Sequence, residues 1–418
     1  MELTLADPEP VVLDPTGADV MGDGERIREE GGIVPGLLPG GAPVWLVASH
    51  KYARFIFGHA DFSRDPKHWL ALRKLPARWP LRRMIEMESM LNAEGADHKR
   101  LRGLVTGAFT ARRVEELRPR IKELARTLIA ELDAAGPDAV IDLRSTYNFQ
   151  LPMGVICDLF GLTDATARQR LADNYQLVIS NETSEEQGEA ANDALSDVIG
   201  TLIREKRLNP GEDLTSALIA ARGDEGGGSL LSEKELVETM FTMLFAGHET
   251  TRNFLTNGSD LLMQHPDQLA LVREGQVSYG RVVDVGMQVE SSIYSTMCYY
   301  ATKDVKIVGT GVTVRKGEAA VILIAATGRD PEQFGPNAGQ FDLTRESAKR
   351  HLSFGHGAHR CIGAALAQTM AATALEELFT RFDVQLAPGT SEAEPWEPTF
   401  SSHVKRRLLV TLTPRTAG

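Results

Sequence analysis

The stretch from Ser232 to Gln264 restricts the fold more than any other part of the chain, because it carries one helical pattern without a break. Ser232 and Glu235 stand in capping-box spacing, Leu236, Met240, Met243, Leu244 and Phe254 supply an apolar side, and His265-Pro266 ends it. At ~1.5 Å per residue such a helix reaches about 50 Å, the width of a whole domain. The rest of the chain must therefore be built around it.

Around that helix the reading is mainly α with small β-sheets at one side. Helical patterns run over 115–132, 151–160, 163–179 and 186–207, and β-like runs over 44–48, 305–308, 312–314, 319–323, 382–386 and 407–412. The glycine-rich patch from Gly223 to Ser229 is too short for a linker and reads as a surface loop. With no linker and no fixed-period repeat, one domain over residues 1–418 is expected, with 1–35 as an irregular lead-in.

The formal net charge of -12 argues against nucleic acid or an anionic membrane as a partner. Three cysteines, Cys157, Cys298 and Cys361, are too few and too scattered for a disulfide framework. The acidic start MELTLADPEP lacks the basic and apolar regions of a signal peptide, and no window approaches the ~20 apolar residues that span a bilayer. A cytoplasmic protein with no membrane association is the expectation.

One cysteine stands apart. In FGHGAHRCIG, residues 354–363, Cys361 follows a turn rich in glycine and histidine and precedes an apolar helical stretch containing Ile362, Leu366, Met370, Leu375 and Leu378. A cysteine at a helix N-terminus feels the positive end of the dipole, which favours thiolate and so suits a nucleophile or a metal ligand. An isolated cysteine is more often a small buried hydrophobe. A zinc site from His356, His359 and Cys361 would lack a fourth ligand.

Phe354, Gly355, Gly357, His359, Cys361, Gly363, Leu366 and Ala367 together match F-G-x-G-x-H-x-C-x-G-x-x-L-A, and this stretch resembles the heme-binding loop of the cytochrome P450 family, soluble bacterial type. The resemblance implies a P450-like fold holding heme b (iron protoporphyrin IX), with Cys361 as the thiolate ligand of iron, His359 at a heme propionate and Phe354 beside the sulfur. AGHETT, Ala246 to Thr251, is similar to the family's oxygen-binding helix motif. It implies that Ala246 lies beside the heme and that Glu249 and Thr250 deliver protons during oxygen activation. DHKRLRGLVTGAFTARRV, residues 97–114, resembles the family helix that directs H-x-x-x-R at the heme, here His98 and Arg102, four apart on one face. RDPEQFGPNAGQFDLTRE, residues 329–346, is like the segment leading into the loop.

The chain departs from the family at one place. The E-x-x-R signature, aligned by Glu290 to Ile293, falls on Val285 and Gln288, and the usual following proline is Ser292. No Lys or Arg occurs between Arg281 and Lys303, so the arginine expected to reach a propionate is missing and Cys298 lies near its place. Losing one member of a buried ion pair strands a charge, whereas replacing both can be nearly free.

By the resemblance, Met87, Met90, Leu91, Thr242, Phe245, Ala246, Ile293, Tyr294, Met297 and Phe400 line a pocket for a medium-sized apolar or polycyclic small molecule. Arg112, Arg113, Lys349, Arg350 and Arg360 form a basic patch suited to an acidic electron donor, a separate ferredoxin with its reductase. The leading expectation is a monooxygenase that hydroxylates or oxidatively couples its substrate in secondary metabolism. The alternative is a heme-binding protein of the same fold whose oxygenase activity is lost, acting as a binding module.

Overall fold

The computed structural model describes residues 10–14, 17, 19–76, 79, 81–137, 139–180, 183–220, 231–388, 395–397, 399 and 401–415. Phe400 and the patch from Gly223 to Ser229 lie outside these residues. In chain order the α-helices are α1 (Val20–Glu29), α2 (His50–Gly58), α3 (Arg82–Ile85), α4 (Gly95–Thr106), α5 (Ala111–Ala134), α6 (Tyr147–Phe160), α7 (Ala165–Ile179) and α8 (Glu185–Leu208). They continue with α9 (Leu214–Ala220), α10 (Glu233–Gln264), α11 (Pro266–Arg273), α12 (Tyr279–Val289), α13 (Ile324–Gly328), α14 (Pro331–Phe334) and α15 (Ala364–Arg381). The strands are β1 (Val11–Val12), β2 (Ile33–Leu38), β3 (Ala42–Val47), β4 (Phe62–Ser63), β5 (Ile141–Asp142), β6 (Tyr299–Ala301), β7 (Val305–Lys306), β8 (Thr313–Val314), β9 (Ala319–Ile322), β10 (Phe382–Leu386) and β11 (Leu409–Pro414).

The long helix of the sequence reading is α10, and its capping box forms as expected: Ser232 Oγ accepts from the Glu235 N–H at 3.1 Å while the Glu235 carboxylate accepts from the Ser232 N–H at 2.8 Å. α10 packs against α6, α8, α9, α11, α12 and α15, so neighbours surround nearly its whole length. Two apolar clusters meet along it. One joins α5, α10, α12 and α15 to β10 and β11, and the other joins α6, α7, α8 and the first half of α10.

The remaining apolar surface belongs to a six-stranded sheet of order β1-β2-β3-β9-β6-β4, in which β3 pairs parallel with β9 (Leu46 opposite Val321) and β6 pairs antiparallel with β4 (Tyr300 opposite Ser63). Its two faces carry the third and fourth clusters. Strands more than 270 residues apart in sequence thus lie side by side, which no local pattern announces.

The lead-in read as irregular carries β1 and the ten-residue helix α1. Asp19 caps it by accepting from the Gly22 N–H, and Val20 and Ile27 are buried against α13 and β2. Its sequence, VMGDGERIRE, holds two glycines and few apolar residues, so the helix forms by docking rather than by propensity.

Candidate functional site

The cysteine loop is shaped by two left-handed glycines. Gly355 (φ 68°) and Gly357 (φ 75°) adopt backbone that favours glycine, and a Cβ on Gly357 would stand 2.6 Å from the Phe57 carbonyl at the end of α2. The loop closes on itself: the Cys361 N–H donates to the Phe354 carbonyl at 2.8 Å, and the Gly355 N–H to the Leu352 carbonyl at 2.7 Å. α15 then starts at Ala364, and Ile362 packs with Met243 and Leu244 of α10 in the second cluster.

Cys361 is accessible to solvent, although protein surrounds it closely enough that burial pushes its thiol up, against the opposing pull of the Gly363 N–H and the Arg102 and Arg360 charges. The sequence expectation was a lowered thiol from the helix dipole. Desolvation outweighs it, because Cys361 stands outside the first turn of α15. The residue is thus accessible while the surrounding protein still desolvates its sulfur. Ala246 is exposed in the middle of α10, between the half-buried Phe245 and Gly247.

Beside the sulfur lies a cluster of donors. Arg102 Nη2 donates to the Arg360 carbonyl at 2.7 Å, and the His98 and His359 rings are 4.1 Å apart. His98 is buried, and burial with the neighbouring His359 and Arg102 pushes its imidazole down to about 4. His359 Nε2 is buried, makes no hydrogen bond, and lies 3.4 Å from Glu94 Oε1. Burial would raise the Glu94 carboxyl, but His359 and the Arg64 N–H hold it below the usual carboxylate range. Among the described residues no group of three or more His, Cys, Asp or Glu side chains is placed to hold a metal ion, so Cys361 has no zinc-type partners there. A lone accessible thiol with two imidazoles and an arginine alongside fits an iron porphyrin with acidic side chains.

On α10, the Thr250 hydroxyl donates to the Ala246 carbonyl at 2.8 Å, leaving its oxygen free to accept. Glu249 Oε1 pairs with Arg252 at 2.7 Å, while its other oxygen is buried without a partner. Gly247 is explained by packing: a Cβ there would lie 3.3 Å from Ile156 of α6. His248 is a core residue, its Nε2 2.9 Å from the Phe149 carbonyl, and burial pushes it down to about 3.

Of the pocket residues expected from the sequence, Met87, Phe245, Ile293 and Met297 are half-buried, and Leu91 and Ala246 are exposed. Met90 and Thr242 are buried, and Thr242 Oγ1 has no partner. Tyr294 is buried in the packed cluster with Val20 and Ile27 of α1, while its neighbour Ile293 forms a bridge with Ser402. Strand-like alternation sends the two side chains opposite ways. In the basic patch, Arg112, Arg113, Lys349, Arg350 and Arg360 are all exposed, and Glu116 pairs with Arg112 at 3.5 Å and with Arg113 at 3.4 Å.

The departure at 285 and 288 is resolved in full. Val285 is buried in the first cluster. Gln288 is also buried, and its amide nitrogen donates to the Gly328 carbonyl and, at 2.8 Å, to the Ala338 carbonyl. Its oxygen accepts from Arg345 Nη1 at 3.2 Å, and Arg345 further donates to the carbonyls of Asn337, Ala338 and Gln340. Two residues on, Glu290 bonds His403 Nδ1 at 2.5 Å and Arg329 at 3.0 Å. Burial would raise the Glu290 carboxyl, but His403 and Arg329 hold it below its ordinary range. The Trp396 ring stacks on His403 at 3.6 Å. Sequence reading missed Glu94, Glu290, Arg345 and His403. Glu290 was visible only as a landmark, and nothing local marks its partners 39 and 113 residues away.

A family model described as Cytochrome P450 matches residues 162–279 and 292–410. The chain is 37% identical over 382 residues to a 2-hydroxy-5-methyl-1-naphthoate 7-hydroxylase of Streptomyces carzinostaticus, covering 90% of this chain and 92% of that one. It is 35% identical over 384 residues to a vitamin D(3) 25-hydroxylase of Pseudonocardia autotrophica, covering 91% and 90%. Among solved structures, CYP154A1 from Streptomyces coelicolor A3(2) superposes with a TM-score of 0.86 at 35% identity, covering 96% and 100%.

Proposed function

Because this chain belongs to the cytochrome P450 family and is a monooxygenase with heme b as its cofactor, we propose that it hydroxylates or oxidatively couples a medium-sized apolar small molecule in secondary metabolism. The observation that carries this reading is a desolvated yet accessible Cys361, with the His98, Arg102 and His359 donors beside it. The hydroxylases of an aromatic naphthoate and of vitamin D(3) support the substrate class, since both act on largely apolar ring systems.

Heme b supplies the one-electron and O₂ chemistry when bound. Cys361 is its thiolate ligand in this reading, held by the hydrogen bond from its own N–H to Phe354 and by the glycines that let the loop approach. His98, Arg102 and His359 hold the propionates. Thr250 Oγ1, its proton engaged by the Ala246 carbonyl, accepts a hydrogen bond from a water at the reacting face. Glu249 keeps one oxygen on Arg252 and offers the other to that water, which orders the proton path while the apolar side chains of Phe245, Ile293 and Met297 exclude bulk solvent.

The chain takes electrons from a redox partner, and we assign that role to a ferredoxin with its reductase, drawn to Lys349, Arg350 and Arg360 around the loop. Among the described residues no helix is long and apolar enough to cross a membrane, and we place the whole chain in the cytoplasm as one domain.

The test is an optical titration followed by turnover. Naphthoic acids, steroids and secosteroids are added to the ferric protein, and compounds that shift the Soret band are incubated with ferredoxin, reductase and NADPH. Oxygenated product at a rate matched to NADPH consumption is expected, and Thr250→Ala should cut that coupling several-fold. Tight binding without product from any ligand would favour the binding-module reading instead.

A further inference from the structure

The segment from Arg281 to Lys303 contains no internal arginine or lysine for a heme propionate, yet a guanidinium covers it from another strand. β4 ends at Ser63, which pairs with Tyr300 of β6, so Arg64 and Tyr299 come opposite each other and their side chains leave the same face. Arg64 is only 8% exposed, and its guanidinium carbon is 4.8 Å from the centre of the Tyr299 ring. Nη1 donates to the Met297 carbonyl at 2.9 Å and Nε to the Leu91 carbonyl at 3.2 Å. Carbonyls and a ring are thus its partners, and among the described residues no carboxylate forms an ion pair with it.

A buried guanidinium with no carboxylate in ion-pair contact is costly. Its surroundings point to where the missing carboxylate belongs. The Arg64 main-chain N–H donates to Glu94 Oε1, the oxygen 3.4 Å from His359 Nε2, and the His359 ring lies against His98. Arg64 is therefore contiguous with the donor cluster beside Cys361. Being planar and able to donate two parallel hydrogen bonds, it suits a carboxylate better than the carbonyls it now touches.

We propose that Arg64 is a heme-propionate ligand of this chain, supplying from β4 the guanidinium that the 281–303 segment has lost. The proposal rests on the heme reading of Cys361, and its test separates the two. Wild type, Arg64→Met and Arg64→Lys are each loaded with protoheme and with its dimethyl ester, which lacks the propionate charges, and the rate of heme loss to apomyoglobin is measured. Wild type should release the ester faster than protoheme. Arg64→Met should reduce that preference by about tenfold, the scale of one charge-assisted hydrogen bond, with Arg64→Lys in between.

Adding Tyr299→Arg to Arg64→Met should restore the preference, since it returns an arginine to the same face. Equal acceleration of both hemes by Arg64→Met, or no change, would overturn the proposal, because a purely structural arginine does not distinguish an acid from its ester. If Arg64→Met does not fold, the Arg64→Lys ratio decides: an undiminished preference overturns the role. A wild type that binds neither heme would sink the cofactor reading and Arg64 with it. Stable heme with no thiolate-type carbon monoxide band would remove Cys361 alone.

Discussion

The cysteine loop and the C-terminal end of α12 touch, Ser353 Oγ donating to the Met287 carbonyl at 2.6 Å, yet they tolerate change very differently. In the loop every family position is present, and the backbone there requires glycine at two of them. Two glycines occupy left-handed backbone, one of them against the Phe57 carbonyl, and one sulfur is accessible yet desolvated. At the end of α12 both members of the expected ion pair are gone, and neutral and charged partners from other segments stand in their place. Gln288 spends its amide on two carbonyls and Arg345, and the half-buried carboxylate of Glu290 gathers Arg329 and His403. In the reading we propose Cys361 is a ligand, and a ligand atom is fixed by its chemistry. A scaffold contact has only to be satisfied, and several sets of residues can do that.

The comparison breaks most visibly at Cys361. Cys361→Ser should abolish the thiolate-type band of the reduced, carbon monoxide-bound protein altogether, and persistence of that band would show that the loop is as replaceable as the helix end. Next in size is Glu290→Gln, which leaves Arg329 and His403 without their carboxylate and should cost about 3–5 kcal/mol in denaturant unfolding at neutral pH. The Glu290 carboxyl is depressed in the folded protein, so its contribution is fully present above the usual carboxylate range and fades as pH falls through its lower folded value. The gap between wild type and Glu290→Gln should accordingly narrow in acid; a constant gap would remove the charge from the explanation.

Returning the family pair sharpens the contrast. Val285→Glu with Gln288→Arg places two charges in a junction already satisfied, Val285 being fully buried, and should lower the thermal midpoint and the heme content per chain. A gain in either would mean that the neutral junction is a defect, not an alternative solution. Smallest is Gln288→Leu, which strands the Gly328 carbonyl and takes one acceptor from Arg345, for about 1–3 kcal/mol. Heme spectra should be unchanged at 25 °C, and a shifted Soret band would show that the junction reaches the site directly.

How far the site was legible follows the same division. Cys361, His359, His98 and Arg102 could be found because glycine spacing and four-residue helical spacing are local, and the structure brings them together. Arg64, Glu94 and His403 had no local signal: each acts through a partner 30 or more residues away. The helices of 115–132 and 186–207 were readable from their period, whereas α1 depends on the sheet it docks against.

By itself the sequence determined the long capped α10, the mainly helical class, the glycine turn that only glycine can make and the sulfur at its end, because period, caps and positive φ are properties of neighbouring residues. Only the tertiary structure decided that desolvation would raise the Cys361 thiol, that Gln288 and Glu290 would replace an ion pair, and that Arg64 would lie opposite Tyr299. Burial and charge compensation depend on what the chain brings together from far apart, and that is set by strand pairing and helix packing.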